Sequence, residues 1–132
     1  MKNKILLFLR FTTALIFLQT LFFKFTASPE SLYIFSKLGM EPFGRIASGI
    51  LEFIAAIFLL IPRTSIFGAI FSFGIILGAI FSHLTILGII VQDDNGLLFF
   101  LALVIFFFSS TILFLQKEEL VKLLTQIKRR GK

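Results

Sequence analysis

The amino-acid sequence predicts an all-α integral membrane protein, a four-helix bundle of spans with a short periplasmic-side helix between spans one and two. Three observations predict it. The 132 residues are 58% hydrophobic, with 20 Phe and a mean hydropathy of +1.02, against roughly 45–50% apolar residues in a soluble domain. The apolar residues fall in four runs of about 20, the length a helix needs to cross a bilayer core of about 30 Å. Runs such as "LLFFLALVIFFF" do not alternate polar with apolar, as the strands of a membrane barrel would.

Span one is placed at 5–25, span two at 43–61, span three at 66–91 and span four at 97–115, within a single domain of 1–132. Lys2 and Lys4 followed by "ILLFL" look like the opening of a signal peptide. Arg10 interrupts that run, however, and "FTA" at Phe25 to Ala27 puts a Phe where cleavage favours a small residue, so the first span is expected to stay. "PRTS" (Pro62 to Ser65) is a tight break, because Pro62 cannot continue a helix and Ser or Thr can cap the next one. In "QDDNG" (Gln92 to Gly96) the Asn-Gly pair supplies the positive φ of a chain reversal. Spans two and three, and spans three and four, are therefore antiparallel.

Between spans one and two, Ser28 reads as an N-cap, Pro29 as the first helical position and Gly39 as a C-cap, which predicts a short helix over Glu30 to Leu38 resting on the bundle. The tail, 117–132, reads as an amphipathic extension of span four. Leu120, Leu123, Leu124 and Ile127 lie on one face, and Lys128, Arg129, Arg130 and Lys132 finish it, a pattern that anionic lipid attracts.

The net charge of +6 is concentrated at the chain ends and in one turn, so it sets membrane orientation and does not indicate nucleic acid. With both termini cytoplasmic, that side receives Lys2, Lys4, Arg63 and the basic tail, plus Arg10 if it snorkels. The other side receives only Lys24, Lys37 and Arg45, beside Glu30, Glu41, Asp93 and Asp94.

Polar residues inside the spans mark the candidate site. Glu52 lies about nine residues from the outer end of span two and His83 about eight from that of span three, a depth of about 12–14 Å at 1.5 Å per residue. Ionisable groups at such depth normally face the bundle interior and pair with one another. Arg45, Ser48, Gly49, Glu52, Ala55 and Ala56 share one helical face, and Gly68, Ser72, Ala79 and His83 form a matching seam of small residues. Gln19 and Lys24 lie in the same outer half of span one. The candidates for ligand binding are thus Glu52, His83, Gln19, Arg45 and Lys24, with an internal polar clamp as the competing role for Glu52. Asp93 and Asp94 lack the oxygen-ligand pattern of a cation loop and read as a solvated turn.

Several chemistries are set aside. The absence of Cys removes disulfides, a thiol redox couple and a cysteine metal site. A single His cannot furnish both ligands of a bis-His haem, and there is no Walker loop, GxSxG or HExxH. No metal site is expected.

"LRFTTALIFLQTLFFKFT" at Leu9 to Thr26, "FGRIASGILEFIAAIFLLIP" at Phe43 to Pro62 and "GAIFSHL" at Gly78 to Leu84 resemble the DoxX family of small four-helix bacterial membrane proteins. The resemblance runs from about Leu9 to Leu115. It rests on Arg10 opening span one, Lys24 and Phe25 closing it, Gly49 and Glu52 as G-x-x-E, and Ala79 and His83 as A-x-x-x-H. Gln19 and Thr20 stand where relatives often have small residues. The resemblance implies a multi-pass protein of the bacterial inner membrane. The family is named for a subunit linked to a quinone-reducing thiosulfate oxidoreductase, and no catalytic residues come with the name.

The expected function is an accessory subunit of a membrane oxidoreductase system, not catalytic on its own, that binds a quinone or another hydrophobic small molecule. Glu52 and His83 would be its polar contacts or a proton-exchanging pair, Gln19 an orienting hydrogen bonder, and Arg45 with Lys24 a positive rim. No intrinsic cofactor is expected, so electrons would come from partner subunits. The bilayer, membrane oxidoreductase subunits and further copies of the chain are the expected partners. The alternatives are a small proton-coupled transporter and a structural or chaperone-like membrane partner without a ligand.

Overall fold

Hydrocarbon offers no partner to a backbone N–H or C=O, so an apolar run that enters it must satisfy those groups within its own helix. The structure, a computed structural model, describes residues 2–91 and 94–131. Helices account for nearly all of them, and no strand occurs among them. The order is α1 (Lys2–Phe25), α2 (Pro29–Lys37), α3 (Phe43–Leu60), α4 (Ser65–Ser82), α5 (Leu97–Leu115) and α6 (Lys117–Arg130). Four of these helices are long and apolar enough to cross a membrane: α1, α3, α5, and α4 with the turns that flank it.

The four long helices form a ring in which α1 packs on α3, α3 on α4, α4 on α5 and α5 back on α1. Short turns make successive spans antiparallel. The start of α1, the α3–α4 turn and the α5–α6 junction therefore share one end of the bundle, here the terminal end. The α1–α3 and α4–α5 connections share the other, here the mouth. The core between the helices is filled by Phe17, Leu59 and Ile112 among small residues such as Ala14, Ala55, Ala56 and Ala69, all buried. Thr13, fully buried in the same core, has a hydroxyl without a protein partner. Large apolar side chains such as Phe8, Leu15, Phe81, Phe107 and Phe114 point outward, as lipid-facing surfaces require.

Local chemistry sets the boundaries. Ser28 caps α2, its side chain accepting from Ser31 N at 3.3 Å, Pro29 is the first helical residue, and Gly39 follows the helix at φ +73°. α3 stops before Pro62, and Pro62–Thr64 makes one 3-10 turn into α4. The third span departs from its expected course. The α-helix ends at Ser82, a single π turn carries the chain over His83–Leu87, and Gly88 at φ +79° ends the helix there instead of at Val91. The tail also departs from a simple extension of α5. The chain breaks at Gln116 (φ −108°, ψ 26°), whose side-chain amide donates to Ser65 Oγ at 3.2 Å, and α6 starts anew.

Close approach of α3 and α4 depends on Gly68. A methyl group there would lie 2.6 Å from Leu59 N and 3.0 Å from the carbonyl carbon of Phe58, both backbone atoms that cannot yield. At Gly74, on the same helix, a methyl group would meet nothing within 4 Å. Gly68→Ala is expected to destabilise the bundle by about 1–3 kcal/mol through overpacking, whereas Gly74→Ala should leave it unchanged or slightly firmer. Thermal loss of helical circular dichroism in detergent, compared across the two variants, checks this.

Candidate functional site

The mouth of the bundle gathers Lys24, Arg45 and Glu52, three of the charged groups that the long helices carry. On α3, Arg45, Gly49 and Glu52 recur at helical spacing and all three are buried. At Gly49 a methyl group would press into the Phe25 ring at 2.8 Å, so that ring would have to shift. One turn deeper, the Glu52 carboxylate meets α1. Its Oε1 accepts from the Lys24 ammonium, and its Oε2 lies 3.0 Å from the Thr20 hydroxyl. That hydroxyl is also 2.8 Å from the carbonyl of Phe17, so one proton serves two acceptors.

Arg45 is committed elsewhere. Its Nε donates to both carboxylate oxygens of Glu41, at 2.9 and 3.1 Å, and its Nη1 donates to the backbone carbonyl of Lys24. Lys24, Arg45, Glu41 and Glu52 thus form a charge-neutral group that fastens the end of α1 to the start of α3. The positive rim expected from Lys24 and Arg45 is not what forms, because each cation has its own carboxylate. Glu41 and Thr20 are the partners that sequence reasoning missed. The i,i+4 spacing of Glu41 and Arg45 was the available signal for one of them.

Helix α2 covers this group, packing on α1, α3 and the π turn, with Ser31 and Phe35 buried beneath it. The Lys24 ammonium sits 5.7 Å from the centre of the Phe35 ring, within range of a cation–π contact. The lid is incomplete, since the side chain of Lys24 keeps 16% of its accessible area against 8% for Glu52.

His83 belongs to a different arrangement. Its carbonyl accepts from Gly88 N at 2.7 Å and its ring Nδ1 donates to the Gly88 carbonyl at 2.9 Å, so it closes the π turn from both sides. The ring rests edge-on against Phe99. No hydrogen bond joins His83 to Glu52 among the described residues. With the helix ending at Leu87, His83 stands about one turn from its end, shallower than a span reaching Val91 would have placed it. Gln19 is exposed on α1, and the neighbouring Thr20 takes the inward position beside Glu52. Of the five candidates, the structure brings together Glu52, Lys24 and Arg45, and leaves His83 and Gln19 outside their hydrogen-bonded group.

Asp93 lies outside the described residues. Asp94 is not merely solvated, because its carboxylate accepts from Val91 N at 3.0 Å, Gly96 N at 2.8 Å and Leu98 N at 3.1 Å, which ties down the start of α5. Partial burial works against its ionisation. The three backbone N–H groups and the nearby His83 outweigh that and hold its carboxyl below the usual aspartate range. Glu30 on α2 is shifted the other way, raised first by its own burial and then by the Asp94 charge.

The described residues contain no cluster of three or more His, Asp or Glu side chains that could hold a metal. A cleft lies at the terminal end, lined by residues such as Arg10, Ser65 and Gln116, away from Glu52. Comparison of the chain with protein-family models, characterised proteins and solved structures finds no match.

The upward shift of the Glu30 pKa carries a sign. A carboxyl whose folded-state value is raised contributes stability at acidic pH, and that contribution is lost as pH rises through the raised value. At neutral pH that contribution is expected to be gone. Glu30→Gln is expected to slow amide hydrogen exchange across α2 at neutral pH. The difference from wild type should vanish at acidic pH, below the ordinary glutamate range.

Proposed function

We propose that this chain is a DoxX-like accessory subunit of the bacterial inner membrane, with both termini cytoplasmic, whose charged mouth is a structural clamp under a lid. The observation that carries the clamp is the state of Glu52. Both carboxylate oxygens are engaged by α1, one by Lys24 and one by Thr20, and Phe35 lies over the ammonium. A carboxylate buried in a span is stable only when paired, and here the pair also fixes the height of α1 against α3. The sidedness follows from the basic residues, since Lys4, Arg63 and the α6 cations all fall at the terminal end.

Binding of a quinone or similar hydrophobic molecule at the mouth, as part of a membrane oxidoreductase system, is the second reading. The partial exposure of Lys24 beneath a short, separately folded α2 favours it, because a small outward movement of Phe35 would open the ion pair to a carbonyl group. Proton-coupled export has less support, since a carboxylate fastened to a neighbouring ammonium is poorly placed to exchange protons with each side in turn.

Glu52→Gln beside the double variant Lys24→Met, Glu52→Leu separates the two readings. As a clamp, the single change leaves an unpaired buried ammonium and should cost about 3 kcal/mol, while the double change should recover most of it. Thermal unfolding in detergent measures both. If Glu52→Gln instead melts like wild type, and mass spectrometry finds an apolar metabolite retained by wild type alone, the ligand reading replaces the clamp.

A further inference from the structure

At the terminal end, away from the charged mouth, a cleft of about 390 Å³ opens between α1, the α3–α4 turn and the α5–α6 junction. Asn3, Leu6, Arg10, Ser65, Gln116 and Glu119 line it. Arg10 is the unusual member. It does not snorkel out of the bundle; it is 92% buried, its exposure being 8%, and it turns toward α3, donating from Nε to the Leu59 carbonyl at 2.7 Å and from Nη2 to the Leu60 carbonyl at 3.2 Å.

Those carbonyls are the end of a helix dipole worth about half a charge, so a full guanidinium charge is only partly answered. No carboxylate forms a salt bridge with Arg10 among the described residues. Its Nη1 has no protein partner there either. It is not among the buried polar atoms lacking partners, of which Thr13 Oγ1 is the described case, so it reaches accessible surface. Ser65, the first residue of α4, lines the same cleft, but its backbone N–H is taken by the Pro62 carbonyl, so Arg10 is the cation of the cleft floor. The cleft floor therefore suits an anion. Its rim does the opposite, because exposed Glu119 presents a carboxylate.

The depth of the cleft narrows the ligand. It lies where α1, α3, α4 and α5 leave the apolar zone. Beside it, α6 exposes Val121, Leu124 and Ile127 on one face and ends in Lys128, Arg129 and Arg130, the pattern of a helix lying in the interface. The cleft is thus at headgroup level. We infer that it binds the headgroup of a phospholipid bearing a primary amine, phosphatidylethanolamine, with the phosphate on Arg10 Nη1 and the ammonium on Glu119. A primary ammonium can donate to a carboxylate, whereas a choline head has no N–H and would need an aromatic cage. None of the lining residues is aromatic.

The test is native mass spectrometry of the full chain in mild detergent with equimolar phosphatidylethanolamine, phosphatidylglycerol and phosphatidylcholine. Wild type is expected to retain phosphatidylethanolamine several-fold over the other two. Glu119→Gln, a change at an exposed rim position that should leave the fold intact, is expected to lose that excess over phosphatidylglycerol, and Glu119→Lys to reverse it. Soluble glycerophosphoethanolamine at the lipid's concentration should not displace the lipid. Equal retention of the three lipids by wild type, or an unchanged preference in both Glu119 variants, would overturn the assignment. Displacement by the soluble headgroup would overturn the lipid as ligand in favour of a free phosphoester.

Discussion

A charge that enters hydrocarbon has to be answered by the protein, and in this chain α1 carries one near each of its ends. Both are answered by the same neighbour. Arg10 is held by the last carbonyls of α3, and Lys24 by Glu52 at its middle, with Arg45 returning a bond to the Lys24 carbonyl. Fastened at two heights, α1 and α3 can neither slide nor rotate against one another without stranding a charge. The remaining contacts are steric and apolar, and they inherit that register. Gly68 lets α4 close against α3, and α5 completes the ring.

The mouth follows from the same constraint. In its loops, side chains tie down backbone polar groups at three places. Ser28 begins α2, His83 closes the π turn, and Asp94 collects three backbone N–H groups ahead of α5. Phe35 then supplies an apolar cover with an electron-rich face for the one ammonium beneath it.

The coarse architecture was legible in the sequence because its signals are strong and local. Four apolar runs gave the spans, and Ser28, Pro29 and Gly39 gave α2 to within a residue at each end. The inward face of α3 was legible too, since Arg45, Gly49, Glu52, Ala55 and Ala56 are all buried. Pairing was the part that helical spacing could not supply. Depth alone put His83 level with Glu52, but depth assumes an unbroken α-helix, and the π turn with Gly88 shortens span three. Gln19 and Thr20 are adjacent, so a small error in the facing of α1 exchanges one for the other. For Arg10 the sequence left both snorkelling and pairing within the bundle open, because its acceptors are backbone carbonyls 49 and 50 residues away, which leave no trace in side-chain chemistry.

The double fastening of α1 to α3 also bears on how the protein is built. Of the cations on α1, Arg10 and Lys24 are buried or nearly so, and the hydrogen-bond acceptors that answer them belong to the next long helix in the chain. A lone α1 in the bilayer would therefore lack the acceptors of both cations. The α1–α3 pair is the smallest part of the structure in which both are answered. A truncation placed between Phe25 and Phe43 would separate what the charges require to travel together.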